Sequence, residues 1–61
     1  MSMVTVTQVL TKVVSDREQN VINQLLVAAL NQDAETIERM LTKSRTIKLL
    51  QRRGAVRVEG I

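Results

Sequence analysis

The chemistry on offer in this sequence is electrostatic and is concentrated near its C-terminal end. Lys43, Ser44, Arg45, Thr46, Lys48, Arg52, Arg53 and Arg57 fall close together. Guanidinium and ammonium groups neutralise phosphate oxygens, arginine pairs bidentately with guanine, and short hydroxyls add hydrogen bonds at either. Residues 39–61 carry seven basic side chains against Glu59 alone, a net of +6, whereas residues 1–38 carry two against five, a net of −3. No proline, no glycine before Gly54 and no low-complexity stretch separates the two parts. They therefore belong to one small domain, 1–61, rather than to two units on a linker.

Other chemistry is scarce. The 61 residues include no Cys, His, Phe, Trp or Tyr, so thiolate nucleophiles, disulfides and the commonest metal ligand and general base are missing. No enzyme activity, metal or cofactor is expected. Asp16 with Glu18, and Glu35 with Glu38, resemble paired carboxylates, but each pair sits where a helix should begin, and there the helix dipole favours negative charge. Met1, Met3 and Met40 suit a start residue, a strand flank and a core filler rather than a copper site. The only glycines, Gly54 and Gly60, build no phosphate-cradling loop.

Size and composition set further limits. A chain of about 60 residues hides only about 60% of its unfolded surface, and without aromatic side chains its core must be built from Val, Leu, Ile, Met and Ala. Self-association, as a homodimer, is the expected remedy. At 44% hydrophobic the chain is too apolar for a disordered tail. Its longest uninterrupted apolar run covers only 25–30, far short of the roughly 20 residues of a membrane span. A cytoplasmic protein without membrane attachment is expected.

The elements that must position the cations can be read from the same pattern. The fold class is mainly α with short terminal strands, an α+β arrangement of three helices. Residues 3–7 alternate Val with Thr and should be a strand. Residues 8–14 fit both extended and helical periods; Val6, Val9, Leu10, Val13 and Val14 make a helical stripe, and the helical reading is preferred. Ser15 to Glu18 forms a capping box, so a helix should run over 16–31 with Ile22, Leu25, Leu26 and Ala29 inward, widened by Val21, Ala28 and Leu30. Asn31, Gln32 and Asp33 should stop it and cap the next. A single helix over 34–53 would scatter Ile37, Met40, Leu41, Ile47, Leu49 and Leu50 round the cylinder. A break near Thr42–Lys43, with Ser44 as the new N-cap and Gly54 at the left-handed end, resolves this. Residues 55–59 then alternate as a strand, and Val4–Val6 is expected to pair with Val56–Val58, within the chain or across a dimer.

The stretch Ile47-x-x-Leu50-x-x-x-Gly54-Ala55-Val56 resembles the end of the recognition helix and the start of the wing in winged helix-turn-helix regulators. The likeness extends back to Met40 and Ile37 and covers about half of the chain. It implies a three-helix, helix-turn-helix-like core, double-stranded DNA as partner, and a role in transcription regulation. It also implies that Lys43, Ser44, Arg45, Thr46 and Lys48 meet base edges or phosphates, with Arg57 on the wing. The residues support the same direction independently. Arg45, Lys48 and Arg52 lie within about 60° of one another on a helical projection, and the lack of aromatic side chains disfavours base stacking on single strands or RNA. A different class of function stays open: a small adaptor or antagonist that offers Val21, Leu25, Ala28 and Leu30 to a partner helix groove, its basic end steering it to an acidic protein.

Overall fold

The computed structural model describes residues 3–60. Its elements are β1 (Thr5–Gln8), α1 (Asp16–Leu30), α2 (Ala34–Lys43), α3 (Arg45–Arg52) and β2 (Val56–Glu59). The two strands pair antiparallel within the chain, Val6 opposite Val58 and Gln8 opposite Val56. This is the α+β architecture expected, with two short terminal strands joined across three helices.

Each helix boundary has a local chemical cause. Ser15 accepts from the Glu18 N–H at 3.1 Å while its own N–H donates to Glu18 Oε1 at 2.9 Å, completing the capping box of α1. Asp33 accepts from the Thr36 N–H at 3.1 Å and starts α2. Ser44 accepts from the Ile47 N–H at 3.2 Å and starts α3, while its backbone N–H still donates to Met40 O and closes α2. One residue is thus both the end of one helix and the beginning of the next, and the region 34–53 is two helices.

Two helix ends share a Schellman geometry. At α3, Gly54 (φ 76°) donates to Gln51 O and Ala55 donates to Leu50 O. At α1, Gln32 donates to Ala29 O and Asp33 to Ala28 O, with Gln32 itself at φ 51°. An ordinary side chain in that left-handed conformation costs on the order of 1–2 kcal/mol, and tertiary hydrogen bonds of Gln32 offset it. Its Oε1 accepts from the Val4 N–H at 2.9 Å and its Nε2 donates to Val4 O at 3.0 Å.

Val4, Ile22, Leu25, Ala28, Ile37, Ile47, Leu50, Ala55 and Val56 form the core, drawn from every helix and from both strand regions. β1 is fixed along α1 at both ends. Gln32 holds Val4, and Gln8 and Gln19 exchange side-chain amide hydrogen bonds of 2.7 and 2.9 Å.

Three expectations need correction. Residues 9–14 are not helical: the Val9 N–H donates to Ala55 O at 2.8 Å and extends the strand ladder, and Lys12 then turns back onto Val9 O. Of the helical stripe expected there, Leu10 and Val13 are 85% and 91% exposed, while Val6 and Val14 pack against the core without a helix. Leu30 does not widen the inner stripe of α1 but stands 84% exposed. Conversely, Leu25 and Ala28 are in the core, so a docking stripe made of Val21, Leu25, Ala28 and Leu30 is not presented to a partner.

Candidate nucleic-acid interface

α3 is amphipathic for a reason visible in its eight residues, RTIKLLQR. Ile47 and Leu50 are fully buried against the rest of the core, which fixes the helix in rotation. Arg45, Lys48, Leu49 and Arg52, spaced i, i+3, i+4, i+7, then share the outward side and line one shallow cleft. Among the described residues, no acidic side chain comes within ion-pair distance of Arg45, Lys48 or Arg52. The three cations face one way beside a half-exposed leucine.

The remaining predicted residues divide. Lys43 is exposed at the last turn of α2, one residue before the joint. Ser44 is half-buried, its oxygen committed to capping α3. Thr46 is half-buried too; it projects about 100° round from Arg45, towards the side of Ile47 and Leu50.

Arg53 is drawn away from the stripe. Its Nη1 donates to Glu18 Oε2 at 2.8 Å and its Nη2 to Val13 O at 3.1 Å. The residue ties the C-terminal end of α3 to the N-terminal turn of α1 and to the segment before it. Arg57 lies on the exposed face of the sheet, 4.0 Å from Glu59, and lines no part of the α3 cleft. The cluster of eight therefore resolves into Arg45, Lys48 and Arg52 together, with Lys43 nearby in sequence at the end of α2.

Leu49 is the member that the sequence pattern did not single out. It counted as one more apolar residue of the helix, yet it is 47% exposed between cations. A signal existed: Leu49 is one turn beyond Arg45, on the same side as Lys48 and Arg52 and away from Ile47.

Glu18 and Asp33 serve helix starts. Glu18 titrates below the ordinary carboxylate range because it accepts from the Ser15 backbone N–H and from Arg53. Asp33 is lowered by its bonds from the Thr36 hydroxyl and N–H. Among the described residues no group of three Asp, Glu, His or Cys side chains stands ready to hold a metal ion. No helix of the described residues is long and apolar enough to cross a membrane. Scans against protein-family models, curated proteins and solved structures return no match.

Proposed function

We propose that this chain is a small, cytoplasmic, double-stranded-DNA-binding transcriptional regulator that acts as a homodimer and lays the outward face of α3 along the major groove. The observation that carries the reading is the alignment of Arg45, Lys48 and Arg52 on one side of a helix whose other side is anchored in the core by Ile47 and Leu50. A helix fits the width of the major groove, cations neutralise the phosphates on its rims, and arginine can pair with guanine. Leu49, in the middle of the stripe, suits contact with a thymine methyl group.

The winged-helix resemblance agrees with this, with α2 and α3 meeting at Ser44 and Gly54 turning the chain into β2. β1, paired antiparallel beside β2, would serve as the second strand of such a wing. One chain offers few phosphate contacts, and two copies double them.

The test is fluorescence anisotropy with a labelled random duplex at low salt, comparing the native chain with Arg45→Glu/Lys48→Glu. Both positions are exposed, so the fold should survive, as far-UV circular dichroism will check. If about four phosphates are neutralised per bound site, log affinity falls against log salt with a slope of about −4. Duplex affinity equal in the native and doubly substituted chains, or a flat salt response, overturns the reading.

A further inference from the structure

The charged residues avoid one side of this molecule. None of the fifteen charged side chains lies in 1–11 or in 19–32, the two segments that supply β1 and most of α1. Where they meet, Val4, Thr5, Val6, Leu26, Ala29, Leu30 and Gln32 line an open groove. Exposed Met3, the residue before Val4, and Val27, on α1 beside Leu26, extend the apolar surface.

One wall of the groove is backbone. In an antiparallel pair, residues exchange hydrogen bonds at alternate positions. The Val9 N–H bond to Ala55 O sets that phase, so Thr7 bonds across to Arg57 and Thr5 to Glu59 in the observed register. The N–H and C=O groups of Val4, Val6 and Gln8 therefore point away from β2. Gln32 satisfies those of Val4, and no described residue satisfies those of Val6 or Gln8. Exposed strand edges are ordinarily protected by a lysine, a proline or a bulge; β1, Thr-Val-Thr-Gln, has none of these.

We propose that the open edge of β1 pairs with the same edge of a second copy about a two-fold axis, giving a four-stranded antiparallel sheet ordered β2–β1–β1–β2. The occupant follows from self-complementarity. A symmetric interface must match itself, and a neutral, β-branched strand beside a neutral apolar helix face does so, where two copies of net charge +3 would repel through their basic sides. Gln32 blocks the edge at Val4. The register that uses the remaining groups passes the axis through Thr7 and sets Val6 of each copy opposite Gln8 of the other, four hydrogen bonds in all. Gln8 of the added strand then lies opposite Val6, beside Leu26, and its exposed Leu10, two residues on, runs towards Val4 and Leu30. A stable pair needs roughly 600 Å² from each copy, about an eighth of the 4523 Å² surface, within reach of the β1 edge with Met3, Leu26, Val27, Ala29 and Leu30.

This names the interface of the dimer in the proposed function, and its test needs no DNA. Analytical ultracentrifugation of the native chain should give twice 6.9 kDa, and Val6 and Gln8 amide exchange should slow with rising protein concentration. Leu30→Glu places a charge in the interface at a site that contributes nothing to the core. Val6→Pro removes the outward N–H while sparing the bonds to β2. Each should weaken dimerisation about tenfold or more with helix content unchanged, whereas Arg45→Glu/Lys48→Glu should leave it intact. A native chain that stays monomeric, exchange at Val6 that ignores concentration, or dimers unaffected by Leu30→Glu overturns the pairing. A monomer that still binds duplex refutes only the pairing, and a dimer indifferent to duplex refutes only the DNA reading.

Discussion

The side chain of Gln32 does for Val4 what a neighbouring strand would do. Its amide oxygen and nitrogen take the Val4 N–H and C=O at 2.9 and 3.0 Å, across 28 residues of sequence, and Nε2 also donates to Ala29 O at 2.8 Å. Gln32→Ala removes these bonds and keeps the left-handed backbone, so it should destabilise the fold by about 1–3 kcal/mol. Gln32→Gly loses the same bonds but relieves the positive φ, and should cost about 1 kcal/mol less than Ala. Urea unfolding followed by far-UV circular dichroism measures both. An alanine variant as stable as the native chain would show that the clamp contributes nothing.

Arg52 and Arg53 are adjacent but differently engaged, Arg53 with Glu18 and Val13 and Arg52 with no described acid. If the proposed function holds, Arg52→Gln should leave stability nearly unchanged and reduce the steepness of the salt dependence of duplex binding by about one unit for each chain bound. Arg53→Gln should leave that slope alone while lowering the unfolding midpoint, because it breaks the bonds to Glu18 and Val13. Identical effects of the two substitutions would contradict the division of the basic cluster.

Acid should loosen the molecule through Glu18 and Asp33. Both carboxyls titrate lower in the folded chain than when unfolded, so the unfolded state binds protons more readily. Their contribution is complete above the ordinary carboxylate range, about pH 4–4.5, and is lost as pH falls through the lowered folded values. Thermal unfolding between pH 7 and 2 should show this decline, and Glu18→Gln should make it shallower while reducing stability at neutral pH. An unaltered acid profile in Glu18→Gln would argue that its cap and ion pair do not influence folding.

Ser44→Ala removes the acceptor that satisfies the first turn of α3. A loss of about 1 kcal/mol is expected, with faster amide exchange at Ile47 in particular. Uniformly faster exchange throughout the chain would instead indicate a global effect.

These sites also mark what could be read from the sequence. Ser15, Asp33, Ser44 and Gly54 announced helix boundaries because a cap bonds within three residues of itself, and the strand at each end followed from alternation. Residues 8–14 carried a pattern that suited two periods, and the outcome was decided by Ala55, whose carbonyl captures the Val9 N–H. Arg53 looked like one more cation because its partner, Glu18, is 35 positions away. Gln32 was legible as part of a helix stop but not as a clamp; that function exists only once Val4 is folded beside it. Leu49 could have been found, since helical spacing alone sets it among Arg45, Lys48 and Arg52.

With Ser44 as the whole of the joint, only one pair of backbone torsions separates α2 from α3, and both flanking helices are pinned through Ile37 and Ile47. The cationic ridge cannot swivel to meet a ligand as a tethered arm would. Its aim is settled when the aliphatic interior closes, and any surface meeting it would have to accommodate that fixed bearing.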